Sequence, residues 1–305
     1  MALGALLLGG CAAAHRAPLP TTLPDSGDVA LDRGVSPLET AAQPHAGKTK
    51  PALRLPSRRS ASFGATIESA DPRLAAALLV ETTLPTADSH VRVAQEYLRL
   101  GVTDSAFTRL ERALAKDPQM AEAHEGLARI WRDWGFPDRG LGSAYRAVSD
   151  APRSASAHNT LGTLLDRVGL FEEARAAYLE AVAVDSQAAW ALNNLCNLEY
   201  RLGRLDEARA HCESALLVEP SLTAAHNNLA LTYAASGDMA SARMEFLAAG
   251  DPAAAEYNMG ILGLAEGNDA SAALAFEQAI KARPAFTAAK NRAHAARLRL
   301  LTKRP

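Results

Sequence analysis

At 305 residues, with 48% hydrophobic and 5% aromatic content, the chain is long enough for two globular domains. Only its middle carries sustained apolar periodicity, which excludes a second independent core. The net charge of −2 hides a division: seven basic against four acidic residues before residue 67, 17 against 30 from 67 to 277, and eight against none from 278 onward. An acidic body excludes nucleic acid as the main ligand.

Residues 1–10 are apolar or glycine after Met1 and run into Leu8-Gly9-Gly10-Cys11. This run resembles a bacterial lipobox, which implies that Cys11 is lipidated and becomes the new N-terminus of a signal-bearing, membrane-tethered protein. Ala12 stands where aspartate would favour inner-membrane retention, so the resemblance implies the outer membrane or the periplasmic side of a cell envelope. The run lacks a Lys or Arg after Met1 and is short for a secretion signal. From residue 11 to 70 proline recurs at positions 18, 20, 24, 37, 44, 51 and 56 without an apolar period. Such a segment cannot bury enough surface to offset ordering, and it reads as a disordered tether reaching about 40 Å. Its basic run, Lys48, Lys50, Arg54, Arg58 and Arg59, reads as a solvating feature. Asp71-Pro72 then offers a helix start, and residues 71–86 are expected to form a short helix, ended by Pro85, that covers the first unit of a repeat array. Its seven apolar residues are too few to span a bilayer.

That array occupies residues 87–284. Gly101, Gly135, Gly169, Gly203, Gly237 and Gly267 recur at intervals of 34, 34, 34, 34 and 30 residues. Eight residues before each glycine is an apolar residue, and the next position is small: Ala94, Ala128, Gly162, Cys196, Ala230, Gly260. Twelve residues after each glycine is Ala113, Ala147, Ala181, Ala215, Ala249 or Ala279. Small residues in phase permit close helix approach, and each glycine ends the first helix of a pair. The pattern therefore describes six helix-turn-helix units. It resembles the tetratricopeptide repeat, with closing prolines at Pro118, Pro152, Pro220 and Pro284 and with Ser186 and Ala254 in their place in units three and five. The resemblance implies an all-α fold: an α-solenoid of six units wound as a right-handed superhelix that binds proteins or peptides. The four-residue shortfall between Gly237 and Gly267 predicts a shortened second helix in unit five. Residues 285–305 read as a basic C-terminal capping helix. Its charges, with Lys281 and Arg283, are a solvated end or, in a sharper reading, a contact for an acidic partner or membrane phosphates.

In the resembling family, positions 2, 5, 6, 9, 12 and 13 of each unit line the inner groove. Counting from Ala189 puts Trp190, Asn193, Asn194, Asn197, Tyr200 and Arg201 there; Asn159, Asn227, Asn228, Tyr257 and Asn258 fall at such positions in units three, five and six. A primary amide both donates and accepts, so it can pair with the backbone of an extended peptide. Asn194, Asn228 and Asn258, all at position six, resemble the asparagine ladder of O-linked N-acetylglucosamine transferases; asparagine at this position is equally an ordinary scaffold residue. Trp190, Tyr200 and Tyr257 are expected to be exposed anchors beside them. A chaperone-binding carboxylate clamp is absent in its usual form, because position five is Val91 in unit one and Glu125 in unit two.

His90, His124, His158 and His226 all fall at position four. Equivalent residues of packed neighbours stand on the order of 10 Å apart, too far for one metal, so they read as structural. Cys196 and Cys212 face each other at positions 8 and 24 of one unit. An exported chain permits a disulfide there, although two buried small hydrophobes are the favoured reading. No phosphate-cradling loop, HExxH, CxxC or nucleophile-base set stands apart from the repeats, so neither catalysis, cofactor nor small-molecule substrate is indicated. The sequence thus reads as a tethered protein-binding scaffold for an extended peptide. A cytosolic regulatory or chaperone-like adaptor, and a substrate-recruiting subunit of a separate transferase, are the alternatives.

Overall fold

A computed structural model describes residues 71–302; the lipobox-like run, Cys11, the proline-rich tether, Lys303 and Arg304 lie outside the described residues. Every regular element among them is a helix, and fourteen occur. Residues up to Ala249 and residues from Gly250 onward belong to two compact units. In the first, α1 (Pro72–Thr83) precedes five helix pairs: α2 (Ala87–Arg99) with α3 (Thr103–Lys116), α4 (Ala121–Asp133) with α5 (Pro137–Asp150), α6 (Ala155–Val168) with α7 (Phe171–Val184), α8 (Ala189–Arg201) with α9 (Leu205–Val218), and α10 (Thr223–Ser236) with α11 (Met239–Ala248). In the second, α12 (Pro252–Ala265) pairs with α13 (Asp269–Ala282), and α14 (Thr287–Thr302) packs on α13. No helix of the described residues is long and apolar enough to cross a membrane.

The turn inside each pair follows from its glycine. All six recurrent glycines have φ between +73° and +91°, where a side chain would be strained. At Gly169 the left-handed turn lets its own N–H reach Asp166 O (3.1 Å) and lets Leu170 N–H reach back to Leu165 O (2.9 Å), satisfying carbonyls that the end of α6 would leave bare. Within the first compact body the two helices of each pair touch, and in units one to four the second helix touches the first helix of the next pair. First helices also meet one another, α4 with α6, α6 with α8 and α8 with α10. Stability of such an array is a sum of neighbour contacts.

The first helix, α1, is capped by Asp71, whose Oδ1 accepts from Arg73 N (3.1 Å) and Leu74 N (2.9 Å), with Pro72 at the first helical position. It is held to the array by Leu74, fully buried, and by Glu81, which meets His90 Nδ1 at 2.6 Å and Arg109 at 3.3 Å. Leu79 and Leu84 stay more than half exposed. At the far side of the first body α11 has ten residues where its counterparts have fourteen, the four-residue shortfall falling at its C-terminal turn.

In units three and six, packing between positions 8 and 24 is adjusted for volume. A Cβ on Gly162 would lie 2.6 Å from the Tyr178 ring, and one on Gly260 would lie 2.5 Å from Phe276. Position 8 is alanine opposite Leu110 and Ala144 in units one and two, and also opposite Phe246 in unit five. Close approach of these helices therefore depends on the pair and not on either residue alone.

Candidate functional site

The first helices of units three, four and five are joined by a row of side-chain hydrogen bonds. Asn194 Nδ2 donates to Asn159 Oδ1 at 2.8 Å, and Asn228 Nδ2 donates to Asn193 Oδ1 at 2.9 Å. Each bond joins position five of one unit to position six of the next. One unit earlier the same step is made by Thr160 Oγ1, which donates to Glu125 Oε1 at 3.2 Å. A second strand of the row runs alongside: Asn197 Nδ2 donates to Asn228 Oδ1 (3.2 Å), and Arg201 Nη1 donates to Asp166 Oδ1 and Oδ2 (2.5 and 2.6 Å), its guanidinium also lying 5.0 Å from the Phe171 ring centre. The amides are thus first of all partners for one another, a use that a single-position reading of asparagine does not reveal. Its signal in the sequence is the spacing of 35 residues between polar side chains at adjacent positions.

This pairing sorts the predicted site residues. Trp190, Asn194, Asn197 and Arg201 follow one another at helical spacing on α8, with Asn193 beside them. Trp190 is 41% exposed, and Asn159, Asn193, Asn194, Asn197 and Asn227 are half-buried. Asn228 is buried, with its Oδ1 and one N–H already engaged. Asn258 is also buried, within the core of the second compact unit. Two of the three expected aromatic anchors are corrected. Tyr200 is buried at 6% exposure, and burial pushes its hydroxyl well above the ordinary phenol range. Tyr257 is fully buried, stacked on Phe286 (4.9 Å) and tilted against Phe276 (5.3 Å), because the segment leading into the capping helix supplies a ring to cover it.

Beneath this face, unit four replaces apolar core residues by other chemistry. Cys196 and Cys212 form a disulfide, so the preference for two free thiols is corrected. Their Cα atoms are 5.2 Å apart, within bridging range, and the bond fills the place that ring-on-glycine packing fills in unit three. At position 11 Glu199 is fully buried on α8, clamped by Arg175 Nε (2.5 Å) and Arg204 Nη1 (3.2 Å); Arg204 continues to Glu172 at 2.6 Å. His211, alongside, has its pKa lowered chiefly by burial, with Glu199 opposing that shift.

The position-four histidines are joints of the repeat. The Nε2 atoms of His124, His158 and His226 each lie 3.0 Å from the carbonyl of the proline six residues earlier, Pro118, Pro152 and Pro220. Of the C-terminal basic residues, Arg283 pairs with Asp251 (2.5 Å), Arg297 with Glu277 (2.5 Å) and Arg299 with Asp269 (3.7 Å). Part of the basic excess is therefore engaged inside the C-terminal unit, which weakens its reading as an acid-binding surface.

No curated protein matches this sequence. Among solved structures, PilW, described as a widely conserved type IV pilus biogenesis factor, is 23% identical with a TM-score of 0.59 over 67% of this chain and 97% of that one. PilF of Pseudomonas aeruginosa is 20% identical, TM-score 0.56, over 70% and 97%. The Cut9–Hcn1 hetero-tetramer of APC/C gives 18% and 0.60 over 77% of this chain and 48% of that one. At these identities the likeness is one of fold. The family model of the tetratricopeptide repeat matches residues 93–157, 159–221 and 194–258, more than half of the sequence. A protein-interaction fold built from helix pairs in this register has one family assignment, and the chain belongs to the tetratricopeptide-repeat family.

Proposed function

We propose that this protein is a non-catalytic scaffold that holds an extended segment of another protein along the first helices of units three to five, and that it does so in a bacterial envelope, tethered through Cys11. The observation that carries the groove reading is the stripe on α8: a tryptophan 41% exposed followed by half-buried amides and Arg201. An exposed indole is costly to leave in water and is a frequent binding anchor. The amides retain acceptor and donor capacity beyond the row, because a primary amide offers two N–H groups and two lone pairs and each bond of the row uses one. The envelope reading rests on the Leu8-Gly9-Gly10-Cys11 run, with independent support from the Cys196–Cys212 bond, since such bonds persist in oxidising compartments. The fold shared with PilW is compatible with that location and does not itself carry it.

A photoreactive residue placed at position 190 in intact cells, followed by fractionation, tests both parts. The expected result is a discrete membrane-fraction adduct that is lost when Cys11→Ala releases the protein, and that does not form from position 217 on α9, where Leu217 is 86% exposed. Equal adducts from both positions would remove the groove; retention in the membrane fraction by Cys11→Ala would remove the tether. Trp190→Ala should weaken capture of the crosslinked partner with little change in melting temperature. Asn228→Ala should instead lower stability, because it strands Asn193 and Asn197.

A further inference from the structure

Repeats provide their own control, and unit two departs from the other five at one corner. At position 16 the others carry Val102, Leu170, Arg204, Asp238 and Asn268, and at position 19 Ser105, Glu173, Glu207, Ser241 and Ser271. Unit two carries Phe136 and Arg139. With Trp131 and Trp134 at the end of α4 and Phe107 from α3, it gathers four rings in one place in a chain that has 16 aromatic residues. Trp131 lies edge-on to Phe107 (5.5 Å), Trp134 (5.3 Å) and Phe136 (6.4 Å), and Phe107 and Trp134 are 5.2 Å apart. Phe107 and Trp134 back onto the core of units one and two, and Trp134 Nε1 is tied to Thr103 Oγ1 at 3.3 Å. That inner pair needs no function beyond packing.

The outer pair is different. Phe136 is 38% exposed, and the Arg139 guanidinium sits 5.3 Å from its ring centre and 5.4 Å from that of Trp131. Arg139 is exposed and makes no ion pair with a carboxylate among the described residues, in contrast to Arg99, Arg109, Arg201 and Arg204. Asp133 pairs with Arg132 (2.8 Å), and Asp138 forms no bridge to Arg139. A cation over aromatic faces at an exposed site gains little, a small return for ordering a long side chain. Stacking does, however, hold the planar N–H fork in one orientation, with apolar walls beside it, the arrangement that suits bidentate recognition of a carboxylate. Tryptophan and arginine together are also the residues enriched at binding hot spots.

We propose that the Trp131–Phe136–Arg139 corner of unit two is a second recognition site, distinct from the α8 stripe, that takes an acidic peptide segment of a partner: a glutamate or aspartate carboxylate on Arg139, with a neighbouring apolar side chain against Phe136. The occupant is set by charge complementarity with the one stacked guanidinium that lacks a carboxylate among the described residues.

The test uses the full-length protein with ¹⁵N-labelled tryptophan, whose three indole N–H signals are assigned by single Trp→Phe substitutions. The probe is the peptide acetyl-Leu-Glu-Glu-Leu-Glu-amide, and its glutamine counterpart is the control. The expected result is a saturable shift of the Trp131 and Trp134 signals by the glutamate peptide, weaker by about tenfold in Arg139→Gln and intermediate in Arg139→Lys, with unchanged melting temperature. Phe136→Leu, which installs the residue of unit three at this position, should weaken binding independently. Absence of saturation, equal binding of the glutamine peptide, indifference to Arg139→Gln, or a shift confined to Trp190 would each overturn the proposal. A Trp190 shift alone would leave the groove reading intact, so the two fail separately.

Discussion

Units three and four occupy the same fold positions with different chemistry. In unit three Gly162 lies under the ring of Tyr178, Leu165 fills position 11 and Ala177 position 23, all four buried. In unit four the same positions hold Cys196, Cys212, Glu199 and His211: a covalent bond, a carboxylate clamped by two arginines, and a partly buried imidazole. Both units form the same helix pair. The difference teaches that this register demands a filled volume between the helices and is indifferent to whether a ring, a bond or an ion cluster fills it. It also places the unusual chemistry directly beneath α8, the helix that presents Trp190.

The strongest way to break the comparison is to overfill unit three. Gly162→Val puts methyl groups where the Tyr178 ring already sits 2.6 Å from an ideal Cβ, and should destabilise by about 3 kcal/mol. Gly162→Ala with Tyr178→Leu copies the Ala94–Leu110 pair of unit one and should recover most of the loss. Chemical denaturation of both variants checks this; equal destabilisation of the single and the compensated variant would show that the pair is not the unit of packing.

Removing the bond in unit four comes next. Cys196→Ala with Cys212→Ala, or reduction, releases a constraint spanning 16 residues and should cost about 2–3 kcal/mol, measured as the difference between oxidised and variant protein under the same denaturant titration. Because contacts in the array run between neighbours, hydrogen exchange should rise mainly in α8 and α9 and in the helices that touch them.

Glu199→Leu sharpens the comparison by importing the position-11 chemistry of unit three. Arg175 and Arg204 keep about a third of their side-chain surface in water, so the two cations left behind can be hydrated, and the buried carboxylate no longer has to be desolvated. The expected loss is about 1 kcal/mol, smaller than that for Glu199→Ala, which adds a cavity.

The repeat register is legible in the sequence because it is written in residue volume: glycine where φ is positive, small residues where helices cross. The same register puts Cys196 opposite Cys212, but whether they bond depends on a Cα separation that no spacing rule supplies. Tyr257 departs from expectation for a related reason. A periodic rule assigns it a face, while its burial is decided by Phe286, a ring at the position where units one to four carry Met120, Ser154, Ala188 and Leu222. The asparagines are legible as a group and not as partners, since the row of bonds joins different positions of successive units. The Trp131–Arg139 corner is invisible to any rule built on shared positions, because it is a departure confined to one unit.

The smallest effect separates His211 from Ala177, its counterpart in unit three. Burial lowers the His211 pKa in the folded protein relative to an unfolded value near about 6.5. Above that value both states are neutral and the residue contributes nothing to pH dependence. As pH falls through it, the unfolded chain takes up the proton first, so the unfolded state binds more protons and stability declines until the folded-state pKa is passed. The wild-type melting temperature should therefore drop more between pH 7.5 and 5.5 than that of His211→Ala, the variant that copies unit three. In Glu199→Leu the carboxylate that favours the imidazolium is gone, so the folded pKa moves lower still and the drop should extend to lower pH. A wild type and His211→Ala that lose stability in parallel would show that this imidazole is hydrated in the folded protein as it is in the unfolded chain.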